Sequence, residues 1–367
     1  MTLSDSFATL RPHIDEATAT SLATLLARAG ASGRSEEFSR AVLTSVSGGK
    51  RFRALMAHVG YALSSGTALD QVSLPHLSAA LELYQASALV HDDIIDKADE
   101  RRGMPTPHRT LADHHASSSW IGSSTDFGRH AAILVGDFLF SAATAAADEQ
   151  ALALRQDCAR AFTMRFADMH AEVALGQYLD ITAEQSPLDP QRTDALSTSD
   201  SLEVALHKSA RYSVVHPAIL GAICGAPSID GVAELLNVLE TILTPWGLAF
   251  QLRDDDLGVF GDPAVTGKPA GDDLREGKRT ALLALTWEAS SPAERRALTD
   301  VLGVAEASAE QIATATEIVE RNGRAAHEAE IARLVADGHA ALDASGFTDD
   351  ARAMLRELCS ILTARRA

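Results

Sequence analysis

The sequence is poor in cysteine and aromatic residues and has neither a basic excess nor a long apolar run. Its three cysteines, Cys158, Cys224 and Cys359, are far apart, with no CxxC and no Cys/His cluster. A disulfide framework or a structural zinc site is therefore not expected, and the three are read as small buried hydrophobes. Aromatics make up 5% of the chain, while Ala and Leu dominate the apolar set. That mix favours helix, since Ala and Leu lose little on entering one, whereas strands want β-branched and aromatic side chains. Fifty acidic residues against 32 Lys plus Arg give a net charge of −18. A general nucleic-acid binder, which must neutralise phosphates, is excluded. An anionic substrate would need local cations or metal ions to hold it against that field. The most apolar stretch, Ala131 to Ala147, is broken by Asp137 and falls short of the ~18 residues of a spanning helix, so no transmembrane segment is expected. The opening MTLSDSFATLRPHIDEA carries acids and no apolar core. It does not read as a signal peptide, and a cytoplasmic protein is expected. A P-loop and a GxGxxG dinucleotide fingerprint are both missing.

What is present is helical periodicity from end to end. Apolar residues recur at three- and four-residue spacing over 4–30, 35–64, 74–99, 131–148, 151–182, 196–226, 231–260, 278–288, 292–303, 308–344 and 349–365. No period-two strand stands out. Residues 101–130 and 258–278, polar with Gly and Pro, read as long loops, and long loops in helical proteins are often functional. Neither resembles a linker, so one all-α domain over 1–367 is expected.

Three segments concentrate charge. In LVHDDIIDKADERRG, Asp92 and Asp96 are four residues apart and stack on one helix face, where two carboxylates repel unless a cation joins them. Magnesium, which takes one or two carboxylates plus phosphate oxygens, fits. Asp93 points about 100° away. Arg101 and Arg102 follow, suited to fork-like recognition of phosphate. About 160 residues later, the apolar helix GLAFQLR delivers Asp254, Asp255 and Asp256, then a loop with Lys268 and Lys278. Two such acid-then-base clusters point to a metal-bridged diphosphate held between two helices of a bundle. The third segment, Gly48-Gly-Lys-Arg-Phe-Arg53, sets three cations at a helix start. That conflicts with the helix dipole unless an anion binds there.

Together these motifs resemble the polyprenyl synthetases, the trans-isoprenyl diphosphate synthases, most like bacterial geranylgeranyl diphosphate synthases. The resemblance runs in order through GGKRFR, DDIID with RRGMPTPH, AAILVGDFLF, GQYLD at 176–180, HKSARYS at 207–213 and GKPAGDDLREGKRT. It implies the isoprenoid synthase fold, mostly antiparallel helices around a deep apolar cavity, usually as a homodimer. It implies head-to-tail condensation of isopentenyl diphosphate with allylic diphosphates, with three Mg²⁺ ions bound alongside the substrate diphosphate. Carried over by position, Asp92, Asp96 and Asp254 are the metal ligands and Arg101 contacts the allylic diphosphate. Lys50, Arg53 and Arg102 contact isopentenyl diphosphate. Lys208, Gln251, Lys268 and Lys278 are further diphosphate- or cation-stabilising positions. Gln85 stands where His is frequent, and Ser209 where Thr is usual. The second acidic motif lacks its last carboxylate, with Gly258 in its place; this leaves the third ligand of that helix open, with Asp256 and Asp272 as the two acids that could compensate.

Product length is read from the helix before Asp92. Ala88 and Ser87 are small, and Tyr84, eight positions before Asp92, is the first bulky residue. Eight residues span about 12 Å, which favours a C20 product, geranylgeranyl diphosphate, over C15. The alternatives are a synthase of longer or shorter chains, a terpene cyclase, for which GGKRFR and Arg102 would be idle, and a non-catalytic partner subunit, against which the intact first acidic motif speaks.

Overall fold

In the computed structural model, residues 2–261, 271–304 and 306–363 are described. Apart from one small hairpin they fold as helices. The chain divides into two compact units, residues 1–166 with 217–233, and residues 167–216 with 234–367.

In the first unit, α1 (Leu3–Arg28), α2 (Glu36–Ser45), α3 (Phe52–Ser65), α4 (Pro75–Ile95), α5 (Pro107–Ser117) and α6 (Ser124–Leu152) pack around α4. The stretch expected as one helix over 35–64 is two, because Gly48 and Gly49 take positive φ (69° and 98°) and break it. The expected loop over 101–130 is mostly structured. A hairpin, β1 (Glu100–Arg101) with β2 (Met104–Pro105), turns on Arg102 and Gly103, whose φ values of 55° and 73° suit a tight two-residue turn. Pro107 then opens α5 at its first turn, where a missing N–H costs nothing. Polar residues cover α5's outer face, which hides its periodicity.

By length and composition α6 could cross a membrane. Its most apolar window has a mean hydropathy of 1.4, and 44% of that window is buried. It is Asp137 alone that interrupts it in sequence. Small residues Ala132, Gly136, Ala143 and Ala147 lie on its buried face, and α4 and α5 pack against it.

The second unit holds most of α7 (Gln156–Gln185), α8 (Thr198–Ala205), a π-helical segment over Leu206–Val215, and most of α10 (Ile229–Phe260); α9 (His216–Gly225) falls largely in the first unit. Then come α11 (Asp272–Glu276), α12 (Ala281–Ala289), α13 (Pro292–Thr299), α14 (Ala309–Asn322), α15 (Arg324–Ala344) and α16 (Asp349–Thr363). The helix expected over 308–344 is broken at Gly323. Its core gathers Leu282, Trp287, Leu298, Ile318 and Val319, with Trp246 fully buried and its indole N–H donated to the Val335 carbonyl at 3.3 Å. All three cysteines are unpaired thiols, as expected; burial pushes that of Cys359 up to about 12.

Candidate active site

The C-terminal end of α4 carries the first acidic cluster. The helix stops at Ile95 with Asp96 as its cap, and Lys97 takes the left-handed conformation (φ 56°). The Ala98 N–H then closes back on the Asp93 carbonyl at 2.9 Å, the bond of a Schellman ending. Thr106, fully buried, donates its hydroxyl to the Ala98 carbonyl at 2.9 Å and pins the hairpin to the helix end. This folds Arg101 back over α4: its Nε lies 2.6 Å from Asp93 and a terminal nitrogen 3.4 Å from Asp92. Asp93 is buried and its pKa is pushed up to about 6, by burial against the pull of Arg101, with Asp92 and Asp96 adding repulsion. Asp93 is thus the anchor of Arg101, while Asp92 and Asp96 remain half-buried on the neighbouring face.

The GGKRFR loop forms a second cationic centre in the same unit. Gly49 makes room for Arg102, since a Cβ there would stand 3.0 Å from both terminal guanidinium nitrogens. One of these donates to the Ser47 carbonyl at 3.0 Å. Arg51 plays a structural part. Left-handed itself (φ 53°), it reaches the Val46 carbonyl at 2.7 Å, Asp15, and Glu82 at 3.5 Å. Glu82, buried on α4, also accepts the Ala54 N–H at 3.3 Å. Burial raises its pKa, opposed by Arg53 and Arg51. Burial and then the like charges of Arg101 and Arg51 depress Arg102. Crowded cations of this kind are relieved by a bound anion. Lys50 is exposed, and Arg53 and Gln85 are half-buried.

Along α4, Ala88 is half-buried, whereas Ser87 is buried with its hydroxyl donated to the Gly136 carbonyl of α6 at 2.8 Å. Tyr84 is buried edge-on against Phe140 of α6, ring centres 5.9 Å apart. His91 packs over Gly136, where a Cβ would meet its Nε2 at 2.2 Å.

In the second unit the three consecutive acids of α10 have three different surroundings. Asp254 is half-buried. Asp255 is buried and accepts the Gln251 amide at 2.8 Å; burial raises its pKa well above the usual range, with Asp273, Asp254 and Asp180 adding repulsion. Asp256 is buried between Arg324 at 3.3 Å and Arg253 at 3.8 Å, so it serves the core and does not compensate for the missing acid. The side chain that stands beside Gly258 is Asp273, whose Oδ2 would lie 1.9 Å from a Cβ on Gly258.

One stripe of α7 faces the remaining cations. Asp180 lies 2.5 Å from the Lys208 ammonium and 3.7 Å from that of Lys278, and Glu184 lies 2.8 Å from Lys278. Gly176 lets α7 touch the π-helical segment, since a Cβ would stand 2.3 Å from the Lys208 nitrogen. Ser209 is half-buried beside it. Lys268 lies outside the described residues. Glu82, Asp180, Glu184 and Asp273 were not singled out from sequence. The four-residue spacing from Gly176 through Asp180 to Glu184 is the one signal that could have found the α7 stripe.

Comparison with known proteins gives a consistent result. The family model described as polyprenyl synthetase matches residues 35–319. A geranylfarnesyl diphosphate synthase of Aeropyrum pernix is 32% identical over 75% of this chain and 77% of its own. A geranylgeranyl diphosphate synthase of Mycobacterium tuberculosis is 30% identical over 79% and 74%. Among solved structures, a Corynebacterium glutamicum geranylgeranyl pyrophosphate synthase, complexed with isoprenyl diphosphate and magnesium, superposes with a TM-score of 0.85 at 34% identity over 100% of both chains.

Proposed function

The chain belongs to the polyprenyl synthetase family as a trans-isoprenyl diphosphate synthase, and we propose that it condenses isopentenyl diphosphate head-to-tail onto allylic diphosphates, with magnesium, to give chiefly geranylgeranyl diphosphate. The observation that carries this reading is that the first unit alone bears two cationic centres held by different partners. One is Arg101 beside Asp92, and the other is Arg102 over the Gly48–Gly49 backbone. Two diphosphates need two such centres, whereas a cyclase needs one.

Asp92 and Asp96 on α4 and Asp254 on α10 would hold the magnesium ions, three by the family pattern. The donor set fits. Asp92 and Asp96 are half-buried carboxylates four residues apart, the hard oxygen donors that magnesium takes one or two at a time. A cation there keeps most of its shell for water and phosphate oxygens, as magnesium prefers. Bound there, the metal supplies positive charge opposite the departing diphosphate.

The chain's own groups do the rest. Arg101, fixed by Asp93, and Lys208 and Lys278, held by Asp180 and Glu184, stabilise charge as the allylic C–O bond breaks. Lys268 is assigned the same part. Lys50, Arg53, Arg102 and Gln85 bind isopentenyl diphosphate and orient its double bond. Gln251 donates its amide N–H to Asp255, leaving its carbonyl, with the Ser209 hydroxyl, as the dipole beside the allylic cation. Attack by the double bond forms the new C–C bond, and a proton leaves to the pyrophosphate, so no enzymic nucleophile is needed.

A single functional domain over 1–367 is part of the same reading. A homodimer is supported by α6, which leaves Ile133, Leu134 and Phe140 exposed at 43%, 58% and 40%. A cytoplasmic location is part of the same reading. The test is a product assay with each allylic primer, with and without a chelator. Loss of turnover on chelation, recovery with Mg²⁺ and a C20 main product are expected; turnover unaffected by chelation would sink the metal assignment.

A further inference from the structure

The segment carrying Lys208 and Ser209 is π-helical over Leu206–Val215, with the His216 N–H bonded to the Arg211 carbonyl. Such wide turns are rare, are strained relative to the α-helix, and persist where surrounding structure holds them. Here the holding group is one carboxylate. Glu172 of α7, 17% exposed, lies 2.7 Å from His207 Nδ1, 2.8 Å from Arg211 Nε and 2.6 Å from His216 Nε2. Arg211 is held on its other side by Glu240 of α10 at 2.6 Å.

The spacing of those three donors explains the arrangement. In an α-helix, residues five apart, such as Arg211 and His216, stand about 140° from one another, and one carboxylate could not reach both. A hydrogen-bond period of five brings residues four and five apart onto one face. Glu172 therefore makes its full set of bonds only with the π form. Burial would raise its pKa, but the bonds from His216 and His207 and the charge of Arg211 outweigh that and hold it at about 2. Glu172, Gly176 and Asp180 lie on one stripe of α7 at four-residue spacing. Along it, Glu172 fixes the backbone form, Gly176 admits the Lys208 nitrogen, and Asp180 meets the Lys208 ammonium.

We propose that Glu172 is a positioning residue. By bonding His207, Arg211 and His216 at once, it locks the π-helical segment and so aims Lys208 and Ser209. This rests on the reading of Lys208 as a group acting on the diphosphate. It assigns Glu172 no contact with substrate.

The test uses Glu172→Gln, which keeps size but loses the charge and the threefold acceptor, alongside Lys208→Ala and the double variant. Glu172→Gln is expected to lower kcat about 10- to 100-fold, the scale of an ångström-level misplacement. KM for isopentenyl diphosphate should stay within about twofold, and amide hydrogen exchange over 206–215 should speed up. In the Lys208→Ala background the second change should cost clearly less than it does in the wild type, because part of its effect runs through Lys208 and only the part through Ser209 remains. Multiplicative losses in the double variant, or unchanged exchange over 206–215, would overturn the inference. A wild-type kcat in Lys208→Ala would sink the underlying reading of Lys208 and the inference with it. An impaired Lys208→Ala beside a normal Glu172→Gln would overturn the role of Glu172 alone. Should Glu172→Gln not fold, His207→Asn at its partly exposed site is expected to show the same exchange pattern and a smaller fall in kcat, and unchanged values there would count against the proposal.

Discussion

Asp273 stands in the space a side chain at Gly258 would take, its Oδ2 1.9 Å from the position of a Cβ. The gap in the second acidic motif is thus filled from α11, fifteen positions further along the chain. Gly258→Asp, which from sequence alone would restore a pattern at little cost, is expected to displace Asp273, lower the unfolding midpoint and raise the Mg²⁺ concentration for half-maximal activity. Pairing it with Asp273→Gly should recover much of the loss. A Gly258→Asp enzyme indistinguishable from wild type in both measurements would show that Asp273 is not fixed there.

Asp92 and Asp93 are neighbours with opposite expected phenotypes. Asp92→Ala removes a half-buried carboxylate, so it should unfold like wild type and lose nearly all turnover. Asp93→Asn leaves Arg101 without its buried counter-charge. It should cost about 1–3 kcal/mol of stability and lower kcat/KM for the allylic diphosphate, with a fall in kcat, while leaving more activity than Asp92→Ala does. Thermal unfolding together with steady-state kinetics separates the two; equal stability losses would contradict the assignment.

Gly49→Ala puts a methyl group 3.0 Å from the Arg102 guanidinium at a φ of 98°, which L side chains rarely adopt. A several-fold rise in KM for isopentenyl diphosphate is expected, with kcat and the allylic KM little changed. A change in the allylic KM instead would move Arg102 to the other substrate.

Product length is tested on α4. Tyr84→Ala should lengthen the main product by at least one isoprene unit, and Ala88→Phe should shorten it. Ser87→Phe has a second effect, since it loses the bond to the Gly136 carbonyl and overpacks a buried site, at about 1–3 kcal/mol. Chromatography of dephosphorylated products decides the matter, and unchanged lengths for Tyr84→Ala and Ala88→Phe would remove α4 from this role.

Acid should weaken the fold through buried histidines. His327 is fully buried, neither ring nitrogen has a hydrogen-bond partner among the described residues, and burial lowers its pKa to about 4; His170 is likewise lowered to about 4. The unfolded chain takes up these protons first, near the ordinary histidine value of 6.5. The stability they allow is therefore complete above 6.5 and lost as pH falls toward about 4, at up to about 1.4 kcal/mol per pH unit for each histidine. Urea midpoints across that range should fall less steeply for His327→Leu than for wild type, and parallel slopes would refute this.

The all-helical class and the acid-then-base clusters were legible because they rest on local composition: Ala and Leu throughout, Asp92 four before Asp96, glycines ahead of cations. What sequence hid depends on pairing at a distance. Glu82 sits among apolar neighbours on α4, and only the approach of Arg51 and the α3 start explains a charge there. The π-helical turn over 206–215 has ordinary helical periodicity, and its cause, Glu172, lies 35 residues before His207. Asp273 rather than its neighbour Asp272 stands beside Gly258, because neighbours in sequence on a helix face different ways. α5 was missed because one buried face of Leu111, Ala112 and His115 is too thin a stripe to outweigh its polar residues.

The stripe Glu172, Gly176, Asp180 and Glu184 makes α7 intolerant of length change in a way the loops are not. Inserting one residue between Glu172 and Asp180 would turn the downstream half by about 100°, parting the carboxylate that holds the π turn from the one that meets Lys208. Inserting four would nearly restore the facing but shift it by about 6 Å, beyond the reach of a lysine already in contact at 2.5 Å. Viable relatives should therefore vary in length before Gln156 and after Gln185, and keep the interval between these four positions fixed.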